Sequence, residues 1–156
     1  MEQAFPRRTV ARMQQGTPDS SSLDAHIAVS DVMNPAVLTC PPDAPLALVA
    51  HLMATHRVHR VVVEGTSGRR AWAVVSDLDL VSADATDAAG VTAGTCACTE
   101  FPTVGPGESL ACAVRLMIEH EDSHVIVVDP VADRAVGVLS TLDVAGAIAL
   151  ARAGRT

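Results

Sequence analysis

Ala73-Val74-Val75-Ser76-Asp77-Leu78-Asp79 is a short apolar run ending in a Ser-x-x-Asp tetrad, and 64 residues later Gly137-Val138-Leu139-Ser140-Thr141-Leu142-Asp143 repeats the pattern. The apolar half suits a buried strand. The Ser-x-x-Asp half suits a helix start, with a hydroxyl to accept a backbone N–H and a carboxylate near the positive helix end. A strand that runs directly into a helix, twice at one offset, points to a duplicated supersecondary unit.

Working outward at the same offset, Thr39 meets Thr103, Pro42 meets Pro106, and Leu46-Ala47 meets Leu110-Ala111. Leu52-Met53 meets Leu116-Met117, His56 meets His120, Val61 and Val63 meet Val125 and Val127, and Arg70-Ala71 meets Arg134-Ala135. No gap is needed between residues 38 and 80. Within each copy, Val37-Leu38-Thr39 is a short extended piece closed by Cys40-Pro41-Pro42-Asp43. Leu46, Val49, Leu52 and Met53 recur at helical spacing, as do Leu110, Val114, Met117 and Ile118 after the candidate cap Ser109. Arg60-Val61-Val62-Val63 and Val125-Ile126-Val127-Val128 are β-branched runs that predict buried strands. Trp72-Ala73-Val74-Val75 and Val136-Gly137-Val138-Leu139 predict the next strands, after turns at 64–68 and 129–133. Each copy therefore reads strand–helix–strand–strand–helix, an α/β (α+β) tandem repeat whose copies should pack with pseudo-twofold symmetry. Residues 1–25 read as a flexible polar tail, 26–87 as the first unit and 88–156 as the second.

Composition narrows the function. The 156 residues are 49% hydrophobic, so a core is expected, and 2% aromatic, so no base-stacking platform is available. The formal net charge of −7 argues against nucleic acid as a partner. No apolar stretch reaches the ~18 residues of a membrane helix, and the N-terminus lacks a signal-peptide core, so a cytoplasmic protein without a membrane partner is expected. Every basic residue is Arg, which excludes lysine-based chemistry. Cys40, Cys96, Cys98 and Cys112 form no C-x-x-C and read as reduced thiols with no metal to hold. His120-Glu121-Asp122-Ser123-His124 matches the zinc-protease pattern H-E-x-x-H, which needs both histidines on one helix. The β-type run from Val125 predicts that His124 starts a strand instead. No residue set supports an enzyme, and no cofactor is required.

Four stretches resemble a tandem pair of cystathionine-β-synthase (CBS) domains. Val29-Ser30-Asp31-Val32-Met33-Asn34-Pro35 is similar to the family's leading segment, V-x-D-h-M-x-x-P with h apolar. Val58-His59-Arg60-Val61-Val62-Val63 is similar to its second strand, and 73–79 and 137–143 to its G-h-h-[ST]-x-x-D element. Copy one departs from the pattern with Ala73 for Gly, and copy two with Gly94-Thr95-Cys96-Ala97-Cys98 for x-D-h-M. The resemblance implies a non-catalytic regulatory module that binds an adenine nucleotide or related adenosyl ligand between its repeats. On that reading Asp79 and Asp143 bind ribose hydroxyls, Ser76 and Ser140 lie near phosphate, and His59 and Arg60, with Arg57 nearby, contact phosphate. His124 is a further candidate, although Glu119, Glu121 and Asp122 beside it should repel a triphosphate. Thr39, Thr103, Val58, Val37 and Val104 are the candidate adenine walls. The resemblance also implies a homodimer formed through helices and a signal passed to a partner protein by population shift. Ala- and Leu-rich helices near Leu46, Leu110 and Ser140 leave apolar surface for such a dimer. The alternative function is a dimerisation or protein-interaction scaffold whose ligand pockets have degenerated.

Overall fold

The computed structural model describes residues 27–65, 73–85 and 90–154. The tail at 1–25, Trp72, Arg70-Ala71 and most of the first turn lie outside the described residues.

The first repeat runs β1 (Thr39–Cys40), α1 (Leu46–His56), β2 (Arg60–Val63), β3 (Ala73–Ser76) and α2 (Asp77–Ala85). A short helix α3 (Ala93–Cys96) follows, and then β4 (Thr103–Val104), α4 (Leu110–Glu119), β5 (His124–Asp129), β6 (Arg134–Ser140) and α5 (Thr141–Ala153) repeat the order. In each three-stranded sheet the central strand pairs parallel with the first and antiparallel with the third. His124 opens β5 while His120 caps the end of α4, so the H-E-x-x-H match spans a helix end and a strand start.

The apolar runs are strands buried on both faces. Val61, Val63 and Val75 pack under the helices of their own repeat, as do Val125, Val127 and Leu139 in the second. The alternate residues Val62, Val74 and Ile126 point the other way and form a core between the two sheets. Period-two alternation thus sends one set of valines to each layer, which is why polar residues are missing from these runs.

The segments ahead of the repeats cross over. A 3-10 turn at Val29–Asp31 packs on the second repeat, where Val29 is fully buried beside Leu110 and Val125. Val29 N donates to Glu108 O at 2.9 Å, Leu110 N donates to Ile27 O at 2.8 Å, and Asn34 and Val138 exchange two backbone bonds of 2.9 Å. Helix α3 makes the reciprocal contact with the first repeat: Ala93 N reaches Ala44 O at 2.8 Å, and Val74 and Cys98 exchange bonds of 2.9 and 2.8 Å. Each repeat's core is thereby closed by the other's leading segment.

This crossover bears on two of the departures from the family pattern, Ala73 for glycine and the missing methionine of copy two. A Cβ on Gly137 would lie 2.5 Å from Met33 Sδ and 3.0 Å from Asn34 O, so methionine in the leading segment requires glycine on β6. The pseudo-equivalent positions in the other half are Ala97 and Ala73. Both alanines pack against the core of the first repeat, and an alanine in place of the thioether is compatible with a methyl group on the strand.

Candidate functional site

A cleft of ≈ 290 Å³ opens where β2 of the first repeat meets β5 and α5 of the second. Ala36, Val37 and Leu38 line one wall, together with Arg57, Val58, His59 and Arg60 from the α1–β2 connection. The second repeat supplies His124, Val138, Ser140, Leu142 and Asp143. A contiguous recess adds Asp77, Ser123 and Thr141 beside His59, Arg60 and His124.

The helix start contributes a prepared carboxylate. Asp143 Oδ2 accepts from Ser140 N at 2.8 Å and from Ser140 Oγ at 2.6 Å, while Ser140 Oγ accepts from Asp143 N at 3.2 Å. One oxygen therefore caps α5. The other is outside the capping box, and its two lone pairs can accept from both hydroxyls of a vicinal diol. Ser76 and Asp79 form the same box at 2.9, 2.7 and 3.1 Å.

The basic side is more constrained than a free clamp. Arg57 caps α1 at φ 54°, in the left-handed region that favours glycine, and its N–H bonds Met53 O. Its exposed side chain stands at the cleft mouth. His59 Nδ1 lies 2.7 Å from Asp77 Oδ2, and that hydrogen bond holds the Asp77 carboxyl below the usual carboxylate range. The guanidinium of Arg60 donates to Asp122 Oδ1 across the seam between the repeats. The His124 ring stands 6.0 Å from that of His59. Burial, aided by the charge of Arg60, pushes the His124 imidazole below the ordinary histidine range.

The candidate residues separate into groups. Val58, His59, Arg60, His124, Ser140 and Asp143 share the cleft, joined by Arg57 and Val37. Ser76 and Asp79 do not line it; they head the equivalent helix of the first repeat. Thr39 and Thr103 are exposed and also lie outside its lining, and Val104 belongs to the core of the second repeat. Arg60 differs from the expected open phosphate clamp because one of its guanidinium nitrogens already donates to Asp122, whose carboxylate offsets its charge. Asp122 was expected only to repel phosphate; instead it neutralises an arginine of the other repeat. Sequence reading also missed Asp77 and Leu142, which enter through the β2–β3 and β5–β6 pairings. The signal available was that Asp122 stands 64 residues after Val58, a charge at the position of an apolar wall residue.

Burial pushes the Cys40 and Cys96 thiols up, which keeps them protonated. Among the described residues, no group of three His, Cys, Asp or Glu side chains has a metal-binding arrangement. No helix among them is long and apolar enough to cross a membrane. Large apolar side chains are exposed on α2 (Leu78, Val81) and α5 (Leu142, Leu150), and singly on α1 (Leu48) and α4 (Ile118).

A family model described as CBS domain matches residues 29–86 and again 94–150. Among solved structures, the CBS domain protein PAE2072 from Pyrobaculum aerophilum, complexed with AMP, superposes with a TM-score of 0.71 at 29% identity, over 82% of this chain and 99% of that one. CBSX2 in complex with AMP gives 0.69 at 22% identity, over 81% and 98%. The CBS domain pair of protein MJ0100, with 5′-methylthioadenosine and S-adenosyl-L-methionine, gives 0.68 at 18% identity, over 83% and 98%. No curated protein matches the sequence.

Proposed function

The chain belongs to the CBS domain family, carrying two copies, and from that premise we propose that it is a non-catalytic regulatory module that binds an adenosine ligand in the cleft between its repeats. The observation that carries this reading is the convergence of the half-used Asp143 carboxylate with aliphatic walls at Val37 and Val58 and a basic mouth at Arg57 and His59. Ribose would bind Asp143, adenine would pack against the aliphatic wall with backbone hydrogen bonds, and phosphate would face Arg57 and the N-terminus of α5. Three of the similar structures contain AMP or an adenosyl compound, in keeping with this assignment.

Because the cleft draws residues from both repeats, a ligand there would favour one mutual arrangement of the repeats, and a partner protein would read it. The module works in the cytoplasm as a homodimer. The pseudo-equivalent exposed leucines Leu78 and Leu142, with Val81 and Leu150 on the same helices, favour α2 and α5 as its interface. The same exposed apolar helices favour the second reading, a dimerisation or protein-interaction scaffold with no ligand. Thermal unfolding with AMP, ADP, ATP and S-adenosylmethionine separates the two. A ligand at a hundred times its dissociation constant stabilises by about 2.7 kcal/mol, whereas a scaffold shows no shift with any of the four. Light scattering at ~50 μM tests the dimer, and a monomer mass would count against both the interface and the scaffold.

A further inference from the structure

The charges around the cleft discriminate between adenosine ligands. Arg60 is its most shielded cation, and its guanidinium is bonded to Asp122, with the two side chains only 17% and 18% exposed. Asp122 is itself held in place. Its N–H donates to Met117 O at 3.0 Å, and its Oδ1 also accepts from His124 N at 3.0 Å, so it caps the start of β5. The pair is therefore part of the turn geometry, unlike a loose surface pair that a ligand could pull apart cheaply. His59 is turned toward Asp77 in an exposed pair. Arg57 is the remaining arginine at the mouth, with no carboxylate partner among the described residues. Among the described residues, and before the histidines are counted, two arginines face three carboxylates: Asp77, Asp122 and Asp143.

One arginine without a carboxylate partner among the described residues suits one phosphate. A triphosphate carries roughly four negative charges and needs several uncompensated donors to replace its hydration. We propose that Asp122, by holding Arg60 across the seam between the repeats, makes this cleft select adenosine ligands bearing at most one phosphate and reject triphosphates. Asp122 is a positioning residue: it lies outside the cleft lining and acts through Arg60. This inference rests on the adenosine-binding reading above and adds to it the charge class of the ligand.

Asp122→Asn is the informative variant, since the amide keeps an oxygen for the His124 N–H while the charge is lost. Calorimetric titrations with adenosine, AMP and ATP, without divalent metal, are compared for wild type, Asp122→Asn, Arg60→Gln and the double variant. The wild type should bind AMP at least tenfold more tightly than ATP, a measurement independent of whether any variant folds. Asp122→Asn should raise ATP affinity about tenfold, the worth of one charge-assisted phosphate contact, with adenosine unchanged. The double variant should lose that gain. A wild type that prefers ATP, or an ATP-to-AMP ratio unmoved in a folded Asp122→Asn protein, would overturn the inference while leaving adenosine binding intact. A gain that persists in the double variant would also overturn it, because the gain would then not run through Arg60. Absence of binding by all three ligands to wild type and variants would overturn the adenosine reading itself.

Discussion

The connection Arg57-Val58-His59-Arg60 and its counterpart Glu121-Asp122-Ser123-His124 share a backbone and differ in charge. Both follow the first helix of a repeat, and both begin with a left-handed residue, Arg57 at φ 54° and Glu121 at φ 52°. Both return a backbone N–H to the helix, Val58 N to Met53 O at 3.2 Å and Asp122 N to Met117 O at 3.0 Å. Both then enter a central strand whose first residue pairs with the serine that precedes the second helix. Duplication preserved the geometry, which the backbone bonds and the buried valines enforce. The exposed side chains were free to diverge, and they became a basic cleft mouth in one repeat and an acidic turn in the other. The acidic turn then acquired a role in the basic one, through Asp122 and Arg60.

The sharpest test of the pseudo-symmetry lies under the leading segments. Gly137→Ala should destabilise by about 1–3 kcal/mol, the usual cost of overpacking, because its methyl group meets Met33 and the Asn34 carbonyl. Met33→Ala in the same chain should recover part of that loss, since it recreates the Ala73 and Ala97 arrangement of the other half. Urea unfolding of the two variants measures the difference. Equal stability of Gly137→Ala and wild type would mean that the second half does not need its glycine.

A comparison of the two Ser-x-x-Asp boxes follows. Asp143→Ala should weaken AMP binding at least tenfold, since each hydrogen bond to a charged group is worth about 1.5–3 kcal/mol. Asp79→Ala should leave AMP binding at the cleft within about threefold of wild type, because Asp79 is not among its lining residues. Titration of both variants decides it, and equal losses would place the ligand elsewhere.

The two first helices differ at their caps. Ser109 Oγ accepts from Cys112 N at 3.2 Å, whereas α1 starts at Pro45 without a side-chain cap. Ser109→Ala should therefore cost about 1 kcal/mol. Pro45→Ala has no cap to lose, so a larger loss there than at Ser109 would contradict this account of the helix starts.

The smallest effect concerns pH. Burial lowers the folded-state pKa of His124, so between that value and the unfolded value near 6.5 the unfolded chain binds the extra proton. Stability from this group is complete above about pH 6.5 and is lost as pH falls toward the folded pKa. His124→Gln should remove part of the decline in melting temperature between pH 7.5 and 5.5. The charge of the equivalent residue Arg60 contributes to the lowering at His124, so Arg60→Gln should make the slope within this window shallower, by less than His124→Gln does. Parallel melting curves for wild type and His124→Gln across that window would refute the assignment.

The strand–helix–strand–strand–helix order, the Ser109 cap and the strand start at His124 were all legible in the sequence. These features depend on residues within a few positions of each other: β-branched runs, helical spacing, a hydroxyl three residues before an N–H. The 64-residue offset then made two copies of one unit plain. Thr39 and Thr103 were less legible, because a threonine on a two-residue edge strand faces the cleft or solvent according to how the neighbouring repeat packs. Asp79 and Asp143 have nearly the same local sequence, and nothing local says which one stands opposite His59.

By itself, then, the sequence determined the elements, their duplication, the Ser-x-x-Asp boxes and the family resemblance, since short-range hydrogen bonding and period-two or helical burial are written into neighbouring residues. Only the tertiary structure decided that each leading segment closes the other repeat's core, that Asp143 faces Arg57 and His59, and that Asp122 occupies Arg60. Those outcomes depend on contacts between residues far apart in the chain, such as Ala93 with Ala44 and Arg60 with Asp122, set by how two buried sheet faces fit together. Val62, Val74 and Ile126 make that fit through space, and no local pattern encodes its register.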